Sequence, residues 1–120
     1  MKKLFVLILM AGLLFALDAP AKSNKPIKGT IASFNDLVMG GSGKVNKSKA
    51  KELVAKGSPL VFKVGTGKKA KVYFVFNEDG TYAGKKLAKY AANNFIGIIG
   101  KIKKVHGINV IIAEKIESMD

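Results

Sequence analysis

The chain has 120 residues, no cysteine, one histidine, and 21 basic against 8 acidic residues, a formal net charge of +13. Without cysteine no disulfide framework is possible, and a single imidazole cannot supply the four N or S ligands of a structural zinc site. Every basic residue is lysine, so the chain offers point cations that draw in polyanions, and it lacks arginine, the commonest specific reader of guanine.

Met1-Lys2-Lys3 is a short basic start, Leu4 to Leu17 is an apolar run, and Ala19-Pro20-Ala21 supplies small residues at a cleavage site. That is the pattern of a secretory signal peptide over 1–21, cut after Ala21. As a helix the apolar run would rise only about 21 Å against a hydrocarbon core of about 30 Å, too short to anchor the chain. No cysteine follows the cut, so no lipid anchor is expected. The expected product, Lys22 to Asp120, is exported (periplasmic or extracellular), is not an integral membrane protein, and has the length of one domain. Its charge is lopsided. Lys22 to Lys71 holds twelve lysines against Asp36 and Glu52, net +10, whereas Val72 to Asp120 holds seven against five acids, net +2.

Residues 22–26 are read as a flexible polar leader and 27–120 as the folded domain. Ile27 to Met39 is read as a first strand. Ile27, Gly29 and Ile31 alternate with Lys28 and Thr30, and a parity slip at Ala32-Ser33-Phe34 predicts a bulge or bend before Leu37-Val38-Met39 resumes. Gly40 to Asn46 is a flexible loop. A short helix follows, capped by Asn46 or Ser48, with Ala50, Leu53 and Val54 on one face and Gly57 past its end. Leu60 to Val64 predicts a second strand and Ala70 to Asn77 a third, in which Val72, Phe74 and Phe76 form the core face and Lys71, Tyr73 and Val75 the other. Asp79-Gly80 is a turn, and Lys85 to Asn94 reads as a second helix. Finally, two β-branched runs within Phe95 to Ile116 flank His106-Gly107 and predict a hairpin of fourth and fifth strands. Its apolar residues, with Ile108, Val110, Ile112 and Ile116 on one parity, are expected in the core.

This order resembles an OB-fold: a five-stranded, all-β barrel with a long bent first strand, a helix between strands three and four, and here an extra helix between strands one and two. It is similar in kind to small exported bacterial OB-fold proteins, and the resemblance covers the whole exported chain. An open five-stranded α+β sheet with both helices on one face is the structural alternative. Exported OB-fold haem chaperones attach haem through a His followed by a Tyr four positions on, and Val110 stands at that place here, so no cofactor is expected.

Other motifs fall short of their chemistry. Gly41-Ser42-Gly43-Lys44 and Gly65-Thr66-Gly67-Lys68 lack both the first glycine and the hydroxyl residue of a phosphate loop. Asn77-Glu78-Asp79-Gly80 lacks the flanking acids of a Ca²⁺ loop. Glu114, Glu117 and Asp36 provide carboxylates, but the odd spacing of the two glutamates would set them on opposite faces of a strand, leaving no hydrolytic pair.

The constellation that remains is Lys63, Lys71 and Tyr73, read as two ammonium groups beside an aromatic on the outer face of the second and third strands. The resemblance implies a ligand site there, flanked by the loops Gly40 to Gly57 and Lys103 to Gly107, with Lys44, Lys47, Lys49, Lys51, Lys103, Lys104 and His106. The expected function is a non-catalytic binding protein for an anionic or glycan-bearing envelope component: an anionic polymer, a membrane surface or a protein partner. Single-stranded nucleic acid binding is the alternative, and a small envelope enzyme a further one.

Overall fold

The structure, a computed structural model, describes residues 21–22 and 25–120. Apart from Ala21, the expected signal peptide lies outside the described residues. Among the described residues no helix is long and apolar enough to cross a membrane.

Five strands carry the architecture: β1 (Ile27–Ser33), β2 (Leu60–Val64), β3 (Lys71–Phe76), β4 (Ile96–Val105) and β5 (Ile108–Ser118). Three short helices join them: α1 (Phe34–Val38), α2 (Lys47–Ala55) and α3 (Gly84–Lys89). β1 pairs antiparallel with β2, β2 with β3, and β4 with β5, while β3 pairs parallel with β5. The antiparallel pairing of β1 with β4, Ile27 opposite Ile98, closes the ring. The result is a closed five-stranded barrel in the order β1-β2-β3-β5-β4, with α3 between strands three and four, as the OB-fold resemblance implies. Closure excludes the open α+β sheet, because β1 has a partner on each side. Ala21 and Lys22 extend the β1 side of the ring by pairing with Ile102 and Lys101.

Inward-pointing residues from every strand fill the barrel. Ile31, Leu60, Phe62, Val75, Ile96, Ile98 and Ile111 are buried there, and α2 and α3 close one end with Ala50, Leu87, Ala88 and Ala91. β4 and β5 are staggered by a bulge, since Ile99 opposes Lys115 while Gly100 opposes Ala113. A side chain at Gly100 would strike the Ile112 carbonyl, so the two backbones meet here only because that residue is glycine. The hairpin turns on His106 and Gly107, with φ of 48° and 85°. Two consecutive left-handed residues make the tight turn whose twist matches that of the strands.

Tyr82 bridges the barrel's end. Its hydroxyl accepts from the Leu60 N–H and donates to the Leu60 carbonyl at 2.7 Å. Leu60 lies beyond the last β2–β3 register pair, Phe62 opposite Tyr73, so the phenol takes the place of a strand partner for a fully buried residue.

Four expectations are corrected. Residues 34–38 form a helix rather than resuming the first strand. The Ser33 side chain accepts from the Asp36 N–H at 3.3 Å and caps α1, and the Asp36 carboxylate accepts from the Gly43 N–H at 2.7 Å. These local side-chain bonds offer the backbone an alternative to the ladder. The second helix stops at Lys89, not Asn94, because the chain tightens into bonds from Ala91 N–H to Ala88 and from Asn93 N–H to Tyr90. The faces of β3 are the reverse of those expected: Val75 is fully buried and Tyr73 packs on the core, while Phe74 and Phe76 point outward. In β5 the inward residues are Ile111, Ala113 and, after the bulge, Ile116; Ile108, Val110 and Ile112 face out.

Candidate ligand-binding face

Strand direction decides which loops can cooperate. β1 and β4 run antiparallel, so the loop after β1 and the hairpin after β4 leave from opposite ends of the barrel. The hairpin instead shares its end with the turn between β2 and β3, because β3 and β5 are parallel and both start there. That end collects Lys68 and Lys69 of a single 3₁₀ turn (Gly67–Lys69), Lys71, Lys103, Lys104 and His106, whereas Lys101, opposite Ile112, stands level with Phe76. No Asp or Glu occurs from Leu60 to Asn77 or from Phe95 to Ala113. No acid within these stretches offsets the lysines at this end, so their field adds.

Lys44, Lys47, Lys49 and Lys51 belong to the other end, on the β1–β2 loop and α2. Asn46 caps α2, its side chain accepting from the Lys49 N–H at 2.7 Å. Glu52 takes up part of this charge, lying 2.8 Å from Lys56 Nζ and 3.9 Å from Lys49 Nζ. The Lys56 hydrogen bond, with the charges of Lys49 and Lys56, lowers the Glu52 pKa from the ordinary carboxylate value. The structure thus separates the two basic loop clusters that the sequence reading had grouped as one rim.

The Lys63, Lys71 and Tyr73 constellation does not assemble on one face. Lys63 stands opposite Val72, Tyr73 opposite Phe62 and Lys71 opposite Val64. Adjacent positions alternate between faces, so Lys63 points outward while Lys71 and Tyr73 share the inward parity. Tyr73 packs on the core; Lys71, at the strand's first residue, emerges into solvent. Lys63 Nζ reaches the Ser42 carbonyl at 3.5 Å across the outer face.

What occupies the outer face is apolar. Near β1 it is covered: Ala32 and Val61 point outward yet are buried, and a side chain at Gly43 would meet both Ala32 and Leu37 of α1. The cover ends at Phe34, whose ring meets Phe74 edge-on at 5.1 Å. Beyond it lies an open groove of about 390 Å³ lined by Phe74, Phe76, Gly80, Lys103, Val105, Ile108, Val110 and Ile112. Register explains the set, since Phe74 and Phe76 pair with Val110 and Ile112, and Lys103 and Val105 pair with Val110 and Ile108. Val105 is 37% exposed and Ile108 52%. Sequence reasoning missed this groove because it assigned all these apolar residues to the core.

Other features are engaged locally. Gly80, with φ of 88°, turns the chain after β3, and Asp79 in that turn accepts from the Thr81 N–H and hydroxyl, which lowers its pKa. Asp36 is held by the β1–β2 loop, and Glu117 lies 3.4 Å from Lys115 on the outside of β5. A wider hollow of about 1020 Å³ opens between Ser42 to Asn46 and residues 91–95. There the Asp120 carboxylate already takes the Asn94 and Phe95 N–H donors. No group of His, Asp and Glu among the described residues could hold a metal ion. No protein-family model, curated protein or solved structure matches the chain.

Proposed function

We propose that this chain is an exported, non-catalytic binding protein whose lysine-rich barrel end captures an anionic component of the cell envelope. The observation that carries the reading is charge without local acids: Lys68, Lys69, Lys71, Lys103, Lys104 and His106 gathered at one end, with no acid in the flanking stretches of β2–β3 or β4–β5. Lysine supplies charge without the planar fork needed to read a guanine edge, which favours a partner recognised by charge over one recognised by sequence. Single-stranded nucleic acid remains the second reading, on the strength of two outward phenylalanines, Phe74 and Phe76, that could stack on bases.

Salt titration separates the readings. An anionic polysaccharide such as alginate and a mixed-sequence oligonucleotide are titrated against the purified protein over a range of salt. Lys103→Gln with Lys104→Gln should weaken alginate binding and flatten its salt dependence, while Lys85→Gln with Lys89→Gln on α3 should change neither. For a single strand each neutralised phosphate contributes about 0.7 to the log–log slope. Oligonucleotide binding with a slope of several units, and no alginate binding at any salt, would establish the second reading and remove the first.

A further inference from the structure

The geometry points to a specific occupant for the outer groove: the acyl chain of a soluble, single-chain anionic amphiphile, its head at the hairpin end and its tail toward Gly80. This rests on the basic-end reading above and narrows its ligand class. The groove volume, about 390 Å³, lies within the range of small-molecule sites, about 300–1,000 Å³. Of its eight lining residues, Lys103 alone has a polar side chain.

That lining selects against most polymers. A sugar or peptide laid along it would press hydroxyl, N–H or C=O groups against aliphatic carbon, with no donor or acceptor to offset their lost hydration. Backbone pairing along its floor offers no escape. β3 is flanked by β2 and β5, and β5 by β3 and β4, so the two strands that floor the groove offer no free edge; beside them, the Lys103 to Val105 end of β4 pairs, among the described residues, on one side alone. A base could stack only on rings that already meet an aromatic edge, Phe74 with Phe34 at 5.1 Å and Phe76 with Tyr82 at 6.3 Å, and the opposite wall is aliphatic. An alkyl chain needs contact alone.

Charge fixes its direction. Lys103 lines the groove level with Phe74 and Val110, and Lys69, Lys71 and Lys104 stand beyond it at the hairpin end, whereas Lys101, opposite Ile112, stands level with Phe76. At the far end Glu78 and Asp79 sit in the turn that carries Gly80. An anionic head is drawn to the first end and repelled from the second.

Calorimetric titration with laurate, kept below its micelle concentration, should show saturable one-to-one binding. Caprylate, four methylenes shorter, should bind up to about 200-fold more weakly, the loss expected for four buried methylenes. Lauryl maltoside, with the same tail and a neutral head, should bind without salt dependence. Ile108→Asn replaces a residue already 52% exposed; it should melt like the parent and bind laurate at least about tenfold more weakly, as loss of apolar contact requires. Lys85→Gln should bind like the parent.

Equal affinity for laurate and caprylate, or unchanged binding by Ile108→Asn, would overturn the inference. So would binding to anionic vesicles without uptake of monomeric laurate, which would make the face a membrane-docking surface. If laurate fails while alginate binding persists, the groove assignment alone falls. If alginate fails while laurate binds as described, the polymer-binding form of the basic-end reading falls and the groove assignment stands.

Discussion

Replacing Tyr82 with Phe tests how the barrel satisfies its strand ends. The phenol both accepts from and donates to the backbone of Leu60, a residue with no solvent exposure. Losing the hydroxyl removes two hydrogen bonds and leaves a buried N–H and C=O without their partner. A typical net hydrogen bond contributes ~1 kcal/mol, and each orphaned buried group costs ~1–3 kcal/mol. Because part of the Tyr82 ring is exposed, water can recover some of this, and the expected loss is ~2–3 kcal/mol. In a domain of this size that lowers Tm by about 10–20 °C. A second signature is in the pH profile. Burial, partly opposed by the Leu60 hydrogen bond, raises the Tyr82 pKa above its ordinary 10.0. A raised folded-state pKa favours the neutral phenol, so this contribution is complete below about pH 10 and is lost as pH climbs through the higher folded value. The measurement is the difference between parent and Tyr82→Phe in urea melts from about pH 7 to about pH 11. A variant within about 2 °C of the parent, or one with the same alkaline loss, would refute the bridging role.

Two further substitutions probe the hairpin. Gly100→Ala would drive a methyl group into the Ile112 carbonyl and to within 3.0 Å of the Ala113 Cα. Since both obstacles are backbone, the loss should reach about 3 kcal/mol, read from urea midpoints at constant m-value; a loss below about 1 kcal/mol would mean the strands separate easily at the bulge. His106 occupies left-handed space at φ 48°. His106→Val should cost about 1–2 kcal/mol, whereas His106→Asn should match or exceed the parent; equal stability of the two variants would deny that backbone conformation is what the position demands.

The hairpin was legible because its signals agree: two β-branched runs, a two-residue turn ending in glycine, and Ile96, Ile98, Gly100 and Ile102 alternating inward. β2 and the Asn46 cap were legible for similar reasons, each carried by local chemistry. The faces of β3 were not. In Lys71-Val-Tyr-Phe-Val-Phe76 both parities are apolar, so alternation alone cannot name the inner one. The choice is made by non-local partners, Phe62 opposite Tyr73 and Ile111 beside Val75. The same limit hid the groove in β5, where the bulge shifts parity between Ile112 and Ile116. α1 was hidden differently: Leu37-Val38-Met39 looks like strand, and only the bonds among Ser33, Asp36 and Gly43 overrule it.

The reversed faces change what the basic end can be. With Tyr73 inward and Phe74 and Phe76 outward, the lysines border an apolar strip instead of a stacking tyrosine. A closed barrel does not need that strip, because its core is already filled by Phe62, Val75 and Ile111 and its neighbours. Charge and apolar contact then make separable contributions to any ligand that spans both. Salt screens the first over about 10 Å at 0.1 M and leaves the second almost untouched. A polyanion held only by the lysines should lose nearly all its affinity as salt rises. An anionic amphiphile should lose the share due to its head and settle at the affinity of its neutral-headed counterpart. Convergence of laurate and lauryl maltoside at high salt is the outcome this division requires, and a laurate affinity that keeps falling past that point would mean the tail never enters the groove.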